Sequence, residues 1–259
     1  MPAQILHGAE WEILLELFVA IVTFVILLGA AVGGLLSNTR LRSSHLQDET
    51  NATVRLVANI FVVMTSLVLG LMMNSARNTL DTNERNVHAF ATDLILLDRS
   101  IRALGDQADK AHRYLVDYVE TSLKDANIAD ENMQAEALLE AVGTSLREIR
   151  LTDDQQVALW NDSRQLYRQA VQQRWVVVDA SGGTIPTPVI VTMIGWLTII
   201  FASFGYRAPR NAVVIVSFIL AALLISATLF LILDMDAPTT GLIQVSNQPF
   251  KRVLVELRR

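Results

Sequence analysis

Cysteine is absent from the 259 residues. That excludes disulfides, thiolate metal sites and cysteine nucleophiles, and it leaves the redox compartment unread. Basic residues are missing from the beginning of the chain: no Lys or Arg precedes Arg40, whereas Glu10, Glu12 and Glu16 do. A cleavable secretory signal opens on a positive segment, so the first apolar run reads instead as an uncleaved anchor. There is no Walker loop, nucleophile elbow, zinc motif or dinucleotide fingerprint. No catalytic constellation and no cofactor site emerge, so the expectation is a protein that is not an enzyme. His7, His45, His88 and His112 follow no ligand spacing and read as surface or bundle residues. A basic footprint for nucleic acid is also lacking. The formal charge is −5, and residues 74 to 187 carry 18 acidic against 12 basic side chains.

What the chain has is length of apolar sequence. Residues 13 to 36, 54 to 73, 188 to 205 and 212 to 233 form four apolar runs, and ~20 helical residues cross a hydrocarbon core of ~30 Å. A backbone in lipid must satisfy its own hydrogen bonds, so these runs are transmembrane helices. The expected fold is all-α: four transmembrane helices in two hairpins, with a helical bundle inserted between the second and third. The expected division is 1–73 for the first hairpin, 74–187 for the extramembrane bundle, 188–234 for the second hairpin and 235–259 for a carboxy-terminal tail.

Within the insert no breaker lies between Asn74 and Gly105, so the second apolar helix is expected to run on past the bilayer as one rod. Further helices are expected over about 106–127, 131–150 and from Thr152, where Thr-Asp-Asp-Gln matches a capping box. Their inward faces are Leu115, Val119 and Ser122 to Leu123; Leu138, Val142, Leu146 and Ile149; and Val157, Trp160, Tyr167, Val171, Trp175 and Val178. Asp93, Asp98, Arg99 and Arg102 read as a solvated face with i,i+4 pairs. Gly29 and Gly33 fit a close-packing motif for membrane helices.

Three sets of residues are candidates for function. Asn59, Ser66, Gly70, Asn74 and Arg77 fall along one helical stripe of the second run. Polar groups at that depth face either a partner helix or a water-filled path, and spacing does not separate the two. Beside them, Val63, Leu67 and Leu71 recur at i, i+4, i+8. A ring of such side chains would form an apolar constriction that gates ions by dewetting; the alternative is that they face lipid or neighbouring helices. Asp234 and Asp236 end the fourth run, where carboxylates oppose the helix dipole and call for a compensating partner. A bound cation is the weaker explanation, because two carboxylates without a ligand loop make a poor metal site.

Orientation is read from the short loops. Arg40, Arg42, Arg55, Arg207 and Arg210 share one side, which favours both chain ends and the 74–187 bundle outside the cytoplasm. Arg77, Arg85, Arg174, Lys251 and Arg252 weigh against it.

Two stretches carry a resemblance. Leu69-Gly70-Leu71-Met72-Met73-Asn74-Ser75-Ala76, running on to Leu94-Ile95-Leu96-Leu97-Asp98-Arg99, is one. The other runs from Ile185-Pro186-Thr187-Pro188 through Phe201-Ala202-Ser203-Phe204-Gly205, Ala208-Pro209-Arg210-Asn211-Ala212 and Leu233-Asp234-Met235-Asp236-Ala237-Pro238 to Gly241-Leu242-Ile243-Gln244-Val245-Ser246. Over roughly residues 50 to 255 the chain resembles the bacterial bestrophin-like domain family, and more distantly the bestrophin ion channels. The resemblance implies a homo-oligomer, by analogy a pentamer, in the bacterial inner (plasma) membrane. It would pass small inorganic ions along the second helix, with Val63, Leu67 and Leu71 near the neck. Leu-Gly-Leu stands where bestrophins have Leu-Gly-Phe, no acidic calcium clasp follows the fourth helix, and bestrophins keep the helical extension cytoplasmic. The reading from another class is a non-conducting scaffold or sensor whose acidic bundle binds a partner protein or solute. The expected partners are membrane lipid, inorganic ions and further copies of the chain.

Overall fold

In a computed structural model, residues 3–37, 48–124, 133–150, 154–180, 183, 185–237 and 242–259 are described, those of 3–12, 48–55 and 155 by backbone alone. The described chain is helical: α1 (Ala3–Ser37), α2 (Asp48–Ala103), a 3-10 turn (Gly105–Ala108), α3 (Asp109–Lys124), α4 (Met133–Glu148), α5 (Asp154–Asp179), α6 (Thr187–Arg207), α7 (Ala212–Asp236) and α8 (Gln248–Leu257). Four of these helices have spans long and apolar enough to cross a membrane: Ile13–Ser37, Leu56–Ala103, Thr187–Arg207 and Ala212–Asp236. The protein is an all-α integral membrane protein. The residues of the capping box at 152–153, and Arg40 and Arg42, lie outside the described residues.

The helix boundaries follow local chemistry. α2 runs for 56 residues because nothing interrupts it until Gly105, whose φ of 71° ends the helix in a conformation that glycine adopts without strain. Pro186 and Pro188 sit at the start of α6, where a missing N–H is no loss. Asn211 Oδ1 accepts a hydrogen bond from Val214 N at 2.8 Å and caps α7.

The chain divides into two compact units, 1–79 with 183–236 and 80–182 with 237–259. The second unit therefore takes in the carboxy-terminal segment that the sequence suggests as a tail. In the first unit α1 packs on α6 and α7, around Leu27, Ala31, Met72, Ala76, Met193, Leu197, Phe201, Ala222, Leu229 and Ile232. The α1–α6 contact is backbone on backbone. A Cβ at Gly34 would lie 2.7 Å from Tyr206 N, and one at Gly205 would lie 2.8 Å from the carbonyl carbon of Ala31. Gly29 and Gly33, the pair expected to pack closely, have nothing within 4 Å. The close approach is one residue further along the helix, on another face. Hydroxyls in the spans mostly return to their own helix, as in Thr23 to Val19 O (2.8 Å), Thr198 to Ile194 O (2.7 Å) and Thr228 to Leu224 O (2.8 Å). Ser226 Oγ is buried and has no hydrogen-bond partner among the described residues.

The second unit is built on Phe90, Leu94, Leu97, Ile101, Leu115, Tyr118, Val119, Val142, Leu146, Phe250 and Val253. Phe90 and Phe250 meet edge to face with centroids 5.4 Å apart, fixing α8 onto α2. The expected faces of α3 and α4 are the buried ones at Leu115, Val119, Val142 and Leu146. That of α5 is only partly so. Its buried positions are Ser163, Ala170, Arg174 and Val177, whereas Trp175 and Val157 are exposed. The reason is a polar seam between α2 and α5. Asn83 Nδ2 donates to Ala180 O (2.9 Å), Gln173 Nε2 to Asn86 O (3.3 Å) and Gln169 Nε2 to Asp93 Oδ1 (3.2 Å), and Ser100 and Ser163 hydroxyls bond at 2.8 Å. A helix face that docks through amides and hydroxyls does not register as an apolar stripe.

Candidate functional site

The apolar part of α2 shows its own chain only a narrow face. Ala58, Thr65, Met72 and Ala76 are buried; at 100° per residue they cluster ~200° around the helix from Val63. Thr65 anchors that face. Its hydroxyl accepts a hydrogen bond from Trp196 Nε1 at 2.6 Å and donates to Phe61 O at 2.7 Å. The Phe61 and Trp196 rings stand 6.4 Å apart alongside. A threonine on an apolar helix gives little warning of this role, because most such hydroxyls bond only within their helix.

All eight candidate residues lie on the opposite side. Val63, Leu67 and Leu71 are 69%, 64% and 61% exposed, so none of the three is packed inside one chain. Asn59, Ser66, Gly70, Asn74 and Arg77 are exposed as well. Ser66 bonds to Val62 O at 3.1 Å. Asn59 and Asn74 have no such recourse, and neither makes a side-chain hydrogen bond to another described residue. A free carboxamide is costly in hydrocarbon and untroubled in water or against a second polar helix. The structure thus gathers apolar and polar candidates on one open helix face, interleaved.

Asp234 and Asp236 are elsewhere, at the end of α7, and both are buried. Asp236 Oδ2 accepts a hydrogen bond from Ile185 N at 2.8 Å, and a Cβ at Gly183 would come within 2.9 Å of the same oxygen. The carboxylate holds the entry to α6, using glycine to admit the backbone. No group of three or more His, Asp or Glu residues that could hold a metal occurs among the described residues. Arg210 Nη2 donates to Leu35 O at 3.2 Å, so this loop arginine also caps the end of α1.

In the second unit the charged patch of α2 has the expected i,i+4 pair and exposed Arg99 and Arg102, but its two carboxylates are buried rather than solvated. Asp98 is 4% exposed; it bonds His112 Nδ1 through Oδ1 at 2.7 Å and Arg102 Nε through Oδ2 at 2.9 Å. Asp93 is buried too, and burial pushes its carboxyl above the usual carboxylate range. Tyr118 is enclosed, which pushes its phenol up to about 12 despite the Arg174 charge and hydrogen bonds with Ser122 and Arg174. Burial likewise raises Tyr167.

This architecture places the chain among helical membrane proteins whose long second helix carries an unfilled face. The bestrophin-like domain profile matches residues 25–250, and the chain belongs to that family. A crystal structure of a bacterial bestrophin homologue from Klebsiella pneumoniae, carrying a point mutation, is similar with a TM-score of 0.57 at 12% identity, over 92% of this chain and 97% of that one. A second mutant of the Klebsiella homologue gives 0.56 at 13% identity, over 96% and 97%. The crystal structure of a membrane protein carrying a point mutation gives 0.51 at 13% identity, over 96% and 97%. No curated protein matches the sequence. At these identities the solved structures establish the fold.

Proposed function

We propose that the chain is one subunit of a rotationally symmetric homo-oligomer, five-fold by family resemblance, that passively conducts small inorganic ions along the open face of α2. Membership of the bestrophin-like family supports a membrane channel-type function rather than catalysis. The observation that carries the reading is the pairing of exposed Val63, Leu67 and Leu71 with the unbonded carboxamides of Asn59 and Asn74 on one face. Lipid alone would suit the first three and penalise the other two. A ring of copies around water suits both: the apolar side chains form a constriction, and the carboxamides are hydrated above and below it. Gly70 leaves the wall thin between Leu67 and Leu71.

The proposed setting is the bacterial inner membrane. Arg207 and Arg210 on the short α6–α7 turn favour a cytoplasmic turn and a bundle outside, the opposite of the bestrophin arrangement. The deciding experiment for function is current through purified protein in planar bilayers, with native mass spectrometry in mild detergent to count subunits. Shortening Val63, Leu67 and Leu71 together to Ala should leave the oligomer intact and raise conductance or abolish gating. An intact oligomer whose current ignores the triple variant moves the pore to another helix. An intact wild-type ring that passes no current favours a scaffold or sensor working through the acidic bundle.

A further inference from the structure

The second unit holds a cleft that the channel reading does not use. It lies among the end of α2, α3 and α8, is open to solvent with a volume of about 500 Å³, and is lined chiefly by Arg102, His112, Arg113, Val116, Asp117 and Arg258, with Leu257 and Arg259 at the end of α8. That volume falls in the ~300–1,000 Å³ range of small-molecule sites.

Two of its cations, Arg102 and His112, are held in place from behind. Buried Asp98 takes Arg102 by Nε and His112 by Nδ1, leaving His112 Nε2 as the ring nitrogen free to meet a ligand. The Arg102 Nη2 group also caps α8 through the carbonyl of Leu257, and Arg258 pairs with Glu120. Arg259 pairs with Glu256 at 2.9 Å. Arg113 makes no ion pair or hydrogen bond with another described residue. Four guanidiniums thus stand around one cleft, three oriented by carboxylates and one without a partner. Asp117 is the single acid in the lining.

We propose that this cleft binds a phosphate group borne by a small organic molecule. Guanidinium forks present paired N–H donors that match phosphate oxygens. A carboxylate is satisfied by a single fork, whereas a tetrahedral oxyanion uses donors from several sides, as Arg102, Arg113, Arg258 and His112 supply. Val116 offers an apolar wall for the organic part, and Asp117 accepts from its hydroxyls. Because Asp98, Glu120 and Glu256 already offset three of the arginines, the cleft selects by donor geometry more than by net charge. The expected affinity for the bare group is therefore modest, in the millimolar range.

The test is isothermal titration calorimetry of the full chain in nanodiscs of phosphatidylcholine, with inorganic phosphate and then glucose 6-phosphate as probes. Saturable heats are expected for both, tighter for the ester. The double variant Arg113→Gln, Arg258→Gln should weaken both at least tenfold. Both side chains are exposed, and circular dichroism checks that the helices persist. Arg168→Gln, outside the cleft, should leave both unchanged. Repeating the titration with phosphatidic acid in the nanodisc separates sources: competition would make the phosphate a lipid headgroup's, and its absence a soluble ester's. Absence of saturable phosphate heat, or equal affinities for wild type and the double variant, overturns the proposal. Neither result bears on conductance.

Discussion

Replacing Gly205 by Ala probes what holds the membrane unit together. The added methyl would sit 2.8 Å from Ala31 C and 2.9 Å from Ala31 Cα, and closer still to Ala31 O. Those are main-chain atoms, so no rotamer relieves the clash, and α1 has to move away from α6 by about 1 Å to restore ordinary contact. A gap of that size forfeits roughly a quarter to a half of each dispersion contact along the seam, including those of Leu27, Leu197 and Phe201 in the same core. Overpacking of this kind costs ~1–3 kcal/mol, and for a chain of this length ~2–4 °C of Tm accompanies each kcal/mol. Gly29→Ala and Gly33→Ala are the matched controls, since nothing lies within 4 Å of either position. They should be neutral or gain up to ~1 kcal/mol of helix propensity. Thermal unfolding in one detergent, followed by tryptophan fluorescence, compares all three. A Gly205→Ala protein as stable as wild type, or a loss at Gly29 instead, would refute the backbone-on-backbone account of α1 and α6. A Gly29→Ala protein that keeps its Tm but changes subunit number would show that this open face meets another copy.

Four further outcomes are expected. Thr65→Val removes the acceptor for Trp196 and should lower stability by ~1 kcal/mol, with a shifted Trp196 emission; an unchanged spectrum would put the ring elsewhere. Tyr118 is neutral in both states below pH 10, and its phenol is raised to about 12 when folded; as pH climbs from 10 to 12 the unfolded chain ionises first, and stability should fall by ~3 kcal/mol at most. Tyr118→Phe should flatten that fall in pH-dependent denaturation, and a persisting slope would assign it to another group. Burial raises Asp93, so its charge opposes folding at neutral pH and Asp93→Asn should hold or raise Tm; a marked drop would show that Gln169 needs the charge. For topology, Ser145 is buried and Ser44 lies outside the described residues, so exposed Thr144 and Pro209 are the better probes: an impermeant maleimide on whole cells should label Thr144→Cys and spare Pro209→Cys, and the reverse pattern would make the bundle cytoplasmic.

Much of the fold is legible in the residues. Four runs of sufficient length announce the spans, the lack of a breaker before Gly105 announces the long α2, and the apolar faces of α3 and α4 are the buried ones. What escapes is whatever depends on polar or glycine-mediated contact. The phase of α5 is read only in part: Trp160, Tyr167 and Val171 do pack on the core, but Ser163 and Arg174 are the buried positions while Trp175 faces out. The α1–α6 seam is misplaced because Gly34 and Gly205 come from distant parts of the chain, whereas Gly29 and Gly33 advertise a local motif. The open face of α2 was legible as a stripe, but its lack of partners is a tertiary fact. The i,i+4 spacing announced the Asp98–Arg102 pair, but the burial of Asp98 and its bond to His112 on α3 had no such signal, because they depend on how α3 folds back after Gly105.

The seam between α2 and α5 bears on how this sequence can drift. Its outer rungs join Asn83 to Ala180 and Ser100 to Ser163, so the interval between rungs is the same number of residues on both helices. A single-residue insertion in α5 between Ser163 and Gln169 would turn Gln169, Gln173 and Ala180 through ~100° at once, and no side-chain rearrangement recovers all three. Substitutions can accumulate here one at a time, but changes of length cannot. Relatives that keep this pairing should show insertions and deletions before Asp154 or after Ala180, and an uninterrupted alignment between Ser163 and Ala180.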